Sequence, residues 1–568
     1  MILFNLSLKP YLKSETLFFR SINGPVYNEE IEGIEMPSNS SICFDTYYNL
    51  LSGKFFEYAK INELKVNINF IGEISLEIHI KTNSKDVLLE KKEFKSKVRK
   101  TCSLSLGNIS FEEDGFLYLA INALDTSVVY EGNFEVGDND INNVKIGIVI
   151  CTFKREQYLL KNIDALNEYI ETHKGFIDKI GIFVVDNGKT LSKDTLPDYV
   201  NLIPNENTGG SGGFTRGLVE VLKNEEYTHF LFMDDDITFV PEIINKTHSL
   251  LSLLKDEYKE SSISGSMLII DKPTIQHELG GKWDGAYNSA NGEGRDLSKI
   301  EDLLKNEDYA KADYGAWWYM CMPVQNAKKY GLPLNRLFIK CDDIEYGLRA
   351  AKGMILINGI GVWHESFEHK YSPAFEYFIK RNELITNSRF PRKKGFWCSW
   401  IKLVRAISRA IIEQRYYTID IIEKAYLDFL KGSSYYFKMD LLDTIKKLND
   451  KCPKQIPVDA KELDYFNEEL LKSKDETNRG LIQVLNLNSY LIPKCFYKKK
   501  PQVVSMVKPN PTNFYKANIV IHYNQYTGNY FKTKIKKRML FYGLWKIIKV
   551  SVVMMFKYHF AKKSFKKI

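Results

Sequence analysis

Hydrophobic and polar positions along the chain fall into three successive patterns. In the first, apolar residues alternate with polar ones. Leu64-Lys65-Val66-Asn67-Ile68-Asn69-Phe70 and Leu76-Glu77-Ile78-His79-Ile80 each put apolar side chains on one face, and Phe116-Leu117-Tyr118-Leu119-Ala120-Ile121 reads as another strand. Short strands separated by Gly, Asn and Asp predict a β-sandwich over residues 1–140. Val136-Gly137-Asp138-Asn139-Asp140 reads as the linker that closes it. In the second pattern, over 141–391, continuous apolar strands at Lys145–Cys151, Ile180–Val185 and His229–Met233 alternate with helical periodicity such as Gln157–Tyr169. That alternation predicts an α/β, Rossmann-like domain: a mostly parallel sheet covered on both faces, with function at the C-terminal ends of its strands. The third region, 392–568, is rich in Lys, Leu, Ile and Tyr. It predicts a mainly helical region, with one helix over Tyr417–Gly432 and a basic amphipathic end.

Composition adds limits. Among 568 residues, 44% are hydrophobic and 26% charged, enough for a sizeable core. The net charge of +8 is concentrated near the end, at Lys532, Lys534, Lys536, Lys537, Arg538, Lys562, Lys563, Lys566 and Lys567. Basic residues interleaved with Leu, Trp, Ile, Val and Met point to an anionic membrane surface rather than nucleic acid. The eight cysteines are scattered singly, which predicts reduced thiols in a cytosolic protein. MILFNLSLKPYLKSE is not read as a signal peptide, and no uninterrupted apolar run reaches bilayer length; the longest is around Val550 to Phe556.

Chemistry gathers after the strands of the second region. Cys151-Thr152-Phe153-Lys154-Arg155 and Val184-Val185-Asp186-Asn187-Gly188 each end a strand. Asp186 can accept from a base or a ribose hydroxyl, or simply form the turn. In Asn207-Thr208-Gly209-Gly210-Ser211-Gly212-Gly213-Phe214, the glycines lead into a helix expected near Phe214. They read either as a close approach to an anion or as a flexible loop. Asp234-Asp235-Asp236 caps an apolar strand. Three adjacent carboxylates repel one another unless a hard divalent cation offsets them, the alternative being a helix cap before Pro241. Asp342 and Asp343 open a helix, where they either favour its dipole or supply a general base. His364, after Trp363, is a metal ligand or a structural histidine.

In this order, the segments Thr152-Phe153-Lys154-Arg155, Val185-Asp186, the glycine-rich run to Arg216, Asp234-Asp235-Asp236, Trp317-Trp318, Asp342-Asp343 with Tyr346-Gly347-Leu348-Arg349, and Trp363-His364 resemble the bacterial galactofuranosyltransferases of the inverting GT-A class, in particular those that polymerise mycobacterial galactan. The likeness departs at Lys380, which precedes Arg381-Asn382 where the family pattern has a nearby His. The resemblance implies a GT-A catalytic domain that transfers galactofuranose from UDP-galactofuranose to a glycan or lipid-linked glycan acceptor. It implies Mn²⁺ or Mg²⁺ held by Asp234, Asp236 and His364, and Asp343 as general base. Arg155, Asp186, Asn207, Asp235, Trp317, Trp318 and Asp342 would form the nucleotide-sugar site. A cytoplasmic enzyme peripheral on the inner face of the cell membrane, able to form homo-oligomers, is the matching expectation. A rhamnosyl- or glucosyltransferase on the same scaffold is the alternative. An inactive carbohydrate-binding scaffold is the other, and the intact acidic set argues against it.

Overall fold

The two alternating stretches around Val66 and Ile78 belong to one strand. In the computed structural model, β1 (Leu64–Thr82) runs through both, followed by β2 (Asp86–Leu106), β3 (Gly115–Ala123) and β4 (Ser127–Val136). The structure describes the chain apart from residues 108, 112, 138–140, 286–287, 309–310, 366–374, 391–394, 460–461, 473–479 and 508. The expected linker at 138–140 and the expected boundary at 391–392 therefore lie outside the described residues. β1 pairs with β4 over Leu64–Ile71 and with β3 over Ile74–Thr82. The exchange of partners occurs at Gly72, whose φ is 114° and where a Cβ would stand 2.7 Å from the Ser127 Cα. Only glycine fits both the dihedral and the space. Because β1 changes partners, ten strands fold over one core as a sandwich, with Val66, Ile68, Leu76 and Ile78 fully buried.

The sandwich belongs to a first compact unit, Met1–Trp283, Tyr287–Asn335 and Asp343–Glu365. The rest of this unit is the α/β domain. Its elements begin with β5 (Ile146–Thr152), α1 (Glu156–Thr172), β6 (Ile180–Asp186), β7 (Val200–Pro204), α2 (Gly209–Val221) and β8 (His229–Asp234). They continue with β9 (Ile237–Phe239), α3 (Glu242–Leu253), β10 (Ser262–Ser264), β11 (Ser266–Ile269), β12 (Lys272–Glu278) and β13 (Tyr319–Pro323). Last come α4 (Asp342–Ala350), β14 (Met354–Ile355) and β15 (Gly361–His364). The main sheet has the order β7-β6-β5-β8-β13-β10-β14. Its first four strands are parallel, and β13 runs antiparallel to β8. A second sheet, β9-β15-β11-β12, lies at the end that bears the acidic turn. The sandwich braces this second sheet. Tyr47 Oη and Tyr48 Oη donate to the carbonyls of Ile360 and Gly361 at 3.0 and 3.3 Å, and the Tyr48 ring packs 5.3 Å from Trp363 on β15.

One expectation fails here. The helix after the glycine-rich run was expected near Phe214, but α2 begins at Gly209, so the glycines form its first turns. A Cβ on Gly213 would lie 2.1 Å from Cys151 Sγ, and one on Gly217 would lie 2.2 Å from Val149 Cγ1. Contact between helix and β5 outweighs the helix-propensity cost of about 1 kcal/mol per glycine.

The second unit, Asp284–Ala286, Arg336–Asp342 and Ser366–Ile568, contains α5 (Phe375–Arg389), α6 (Phe396–Ile412), α7 (Tyr417–Leu430) and α8 (Arg538–Lys566). It also holds a four-stranded sheet absent from the sequence reading: β16 (Ile456–Pro457), β17 (Gln502–Ser505), β18 (Ile519–Asn524) and β19 (Asn529–Lys534), ordered β16-β19-β18-β17. These strands are two to six residues long, too short for periodicity to separate them from loops. A second correction concerns α8. Among the described residues it is one helix long and apolar enough, by length and composition, to cross a bilayer. No uninterrupted run predicted this, because widely spaced lysines break the run without lowering the average much. α8 packs on α6 and α7: Ser399 and Tyr558 hydroxyls lie 2.9 Å apart, Trp400 Nε1 donates to Ser551 Oγ at 2.8 Å, and the Phe429 and Phe565 rings stack at 5.3 Å.

Candidate active site

Parallel register brings the functional segments to one sheet edge. Thr152 is paired with Asp186, and Cys151 with Asp234, so the turns after β5, β6 and β8 leave the sheet side by side. At the end of β8 the chain turns sharply into β9. Asp235 and Asp236 are nearly buried, at 5% and 6% exposure. Arg155, just past β5, reaches across: its Nη1 lies 2.6 Å from Asp236 Oδ2 and 3.5 Å from Asp235 Oδ1. His364, at the end of β15, places Nε2 3.1 Å from Asp236 Oδ1 and 3.9 Å from Asp234 Oδ2. Its Nδ1 faces the Glu365 carbonyl at 2.6 Å. One ligand atom each from Asp234, Asp236 and His364 lies within 4.8 Å of the others. Two carboxylate oxygens and an imidazole nitrogen suit a borderline-hard divalent cation. The site's electrostatics agree. Burial, and after it the charge of Asp236, pushes the Asp235 carboxyl up to about 7, and Asp235 Oδ2 has no hydrogen-bond partner among the described residues. A buried carboxylate edge beside two more carboxylates is costly without added positive charge.

The other expected residues are held in different ways. Asp186 is consumed by its own loop: Oδ1 accepts from Gly188 N at 2.8 Å, and Oδ2 accepts from Thr190 N and Leu191 N at 2.7 and 2.8 Å. Asn207 Oδ1 accepts from Gly209 N at 3.1 Å and so opens α2. Trp317 packs into the core against Phe232 and Phe214, with ring centroids 4.9 and 5.3 Å away. Trp318 donates its indole N–H to the Gly265 carbonyl at 3.0 Å. Both rings are buried.

Asp342 and Asp343 are half-buried at the start of α4, and Asp343 Oδ1 accepts from Ile344 N at 2.8 Å. Glu345, the third acid of this helix, is locked by Arg349: Nε–Oε1 is 2.8 Å and Nη2–Oε2 is 3.0 Å. The carboxylate of Glu345 is thereby committed to structure. The segment leading to Asp342 is strained. Phe338, Lys340 and Cys341 have φ of 70°, 68° and 63°, unfavourable for residues with side chains. Arg381 and Asn382 of α5 hold that segment. Asn382 Nδ2 lies 2.8–2.9 Å from the carbonyls of Leu337, Ile339 and Lys340, and Arg381 Nη2 donates to those of Arg336 and Leu337. Strain over-determined by so many bonds is characteristic of functional loops.

Sequence reading missed Glu278. It sits buried at the end of β12 with Oε1 unpartnered among the described residues. Burial, and then the charges of Asp343 and Glu293, push its carboxyl up to about 8. No motif marks it. Antiparallel pairing of β12 with β11 sets Glu278 opposite Met267, while His364 stands opposite Ile269 at the other end of β11, so tertiary packing is what couples Glu278 to Asp343.

Residues 147–276 match the family model described as glycosyl transferase family 2. Among curated proteins, galactofuranosyltransferase GlfT2 of Mycobacterium tuberculosis is 25% identical over 492 residues, covering 80% of this chain and 74% of that protein. GlfT2 of Mycolicibacterium smegmatis is 25% identical over 491 residues, covering 78% and 72%. Among solved structures, a mannosyltransferase from Pyrobaculum calidifontis in complex with GDP-Man and Mn²⁺ is similar over 46% of this chain and 68% of that one, at 12% identity and a TM-score of 0.30, too low to carry an argument. The chain is a glycosyltransferase with a GT-A catalytic domain, similar over most of its length to the galactofuranosyltransferases.

Proposed function

We propose that the chain transfers galactofuranose from UDP-galactofuranose, with inversion, to a growing cell-surface polysaccharide or glycolipid. The observation that carries this reading is the convergence of Asp234, Asp236 and His364 at the sheet edge, in a chain similar to galactofuranosyltransferases over most of its length. Those three residues would hold Mn²⁺ or Mg²⁺. Bound there, the cation supplies positive charge beside the donor's diphosphate. Arg155 orients Asp235 and Asp236 and brings a fixed positive charge to the same edge. Asn207 and the start of α2 offer backbone N–H groups toward the nucleotide-sugar, with Asp186 setting the neighbouring loop. Asp342 lies beside the sugar, and Trp317 and Trp318 give the cleft a rigid floor.

Asp343 is the general base. Its carboxylate takes the proton from an acceptor hydroxyl, and that oxygen attacks the anomeric carbon from the face opposite the diphosphate. One displacement inverts the centre and needs no enzyme nucleophile. The acceptor is a glycan or lipid-linked glycan, and the enzyme works in the cytoplasm, peripheral on the inner face of the cell membrane.

The test is a donor screen with purified protein and Mn²⁺, with and without chelator, and product analysed for linkage and ring size. The expected product carries galactofuranose and disappears with chelator. Product from a rhamnose or glucose donor in place of UDP-galactofuranose would transfer the reading to another sugar.

A further inference from the structure

The six residues before Asp342 are wound against the preferences of their own side chains. Arg336-Leu337-Phe338-Ile339-Lys340-Cys341 holds three residues in the left-handed region, Phe338, Lys340 and Cys341, and contains no glycine. A loop free to choose would not take that form. Its turns aim the carbonyls of Leu337, Ile339 and Lys340 at one point, and the side chain of Asn382 on α5 stands there. Asn382 Nδ2 donates to the three at 2.8, 2.9 and 2.8 Å. A side-chain amide has two N–H bonds, so three acceptors share them.

The orientation of that amide is itself fixed. Arg381 Nε donates to Asn382 Oδ1 at 2.9 Å, which turns the amide nitrogen toward the loop. Arg381 Nη2 donates to the carbonyls of Arg336 and Leu337 at 3.0 and 3.1 Å. The guanidinium also lies over the rings of Tyr377, Phe378 and Tyr436, 5.3, 5.1 and 5.6 Å from their centroids. The Phe338 ring stacks on Phe378 at 5.0 Å.

Asn382 and Arg381 are 0% and 2% exposed, so neither can touch a substrate. Burying a guanidinium is costly. What it holds here, together with Asn382, is the main chain that runs directly into Asp342 and Asp343 at the start of α4.

We propose that Asn382, oriented by Arg381, is a positioning residue for transfer. It keeps the loop in the left-handed form that sets the direction of the Asp343 carboxylate. This rests on the reading of Asp343 as the general base. Without the Asn382 amide the loop relaxes toward ordinary dihedrals, the first turn of α4 shifts, and the carboxylate misses the acceptor hydroxyl. Donor and cation bind as before.

The test is a double-substitution cycle read by transfer kinetics, with donor binding followed by calorimetry. Asn382→Ala should lower kcat by about 10- to 100-fold and leave KM for the donor within about twofold. The same substitution made on Asp343→Asn should change the residual transfer by less than about twofold, because a base already removed cannot be misplaced. Arg381→Lys keeps the charge and loses the planar fork that orients Asn382. It should show the same pattern with a smaller fall, and it carries the cycle if Asn382→Ala does not fold. Three results would overturn the proposal. Transfer is unchanged in the folded variants. KM for the donor rises while kcat holds, which assigns Asn382 to the donor site. The fall on Asp343→Asn equals the fall in the original chain, which makes the effect independent of the base. Asp343→Asn alone separates the two readings. If it transfers at the original rate, the base assignment fails and the proposal with it; if it is inactive and Asn382→Ala is fully active, only the proposal fails.

Discussion

The turn after β8 and the outer side of α8 break the same rule in opposite directions. Around Asp235 and Asp236 the molecule buries carboxylates. Along Phe541, Phe556 and Phe560 it exposes aromatic rings. Single exposed apolar residues or single buried polar ones mean little, because most proteins have both. Clusters are different. The acidic turn gathers negative charge that Arg155 offsets in part, and the helix gathers apolar surface along one side. For the transferase proposed above, the acidic turn is where a cation would offset the charge of the donor's diphosphate.

Substitutions can break or sharpen that comparison. The largest effect is expected from Asp343→Asn, which is nearly isosteric and removes only the proton acceptor. Transfer should fall by about 10³-fold while donor binding, read by calorimetry, persists. Transfer near the original rate would dismiss Asp343 as the base and leave Asp342 as the candidate, since Glu345 is engaged by Arg349. Next is Asp236→Ala. Loss of one ligand should lower the Mn²⁺-dependent rate by about 10²-fold, with the fold verified by circular dichroism. Full activity would end the metal assignment.

Glu278→Gln tests the buried acids by pH. The Glu278 carboxyl titrates near 8 when folded and near its ordinary value when unfolded, so the unfolded chain releases the proton first. Its contribution is present in full below about 4.5 and is lost as pH rises toward 8. The Gln variant keeps a neutral side chain. Urea titrations should therefore show it gaining on the original chain with rising pH, by up to roughly 4 kcal/mol at pH 8. A constant difference between pH 5 and pH 8 would contradict the raised pKa.

The buried and exposed sides of α8 should separate cleanly. Met554→Ala, on the buried side, should cost about 2 to 3 kcal/mol. Phe556→Ser, on the exposed side, should change stability by less than about 0.5 kcal/mol. Equal costs would mean that the outer side is covered in the folded chain.

Much of the fold was legible before the structure. Period-two alternation marked β1 and β3, continuous apolar runs marked β5, β6 and β8, and the triple Asp stood where the α/β pattern put the functional edge. These signals are local: each depends on residues within a few positions of one another, so the sequence displays them directly. The sequence alone also determined the chemistry available, in the carboxylates of Asp234, Asp236 and Asp343, the imidazole of His364 and the absence of acid in α8. Tertiary structure alone decided which of these groups meet. It brought His364 to Asp236 across 128 positions, with β15 braced by Tyr47 and Tyr48 of the sandwich. It packed Gly213 against Cys151 and so made a helix of an expected loop, spent Asp186 and Glu345 on hydrogen bonds, and raised Glu278 from an unmarked strand residue to a buried acid. It also chose which side of α8 is buried. The physical reason is that burial and electrostatic coupling depend on distance through space, and a chain records only distance along itself.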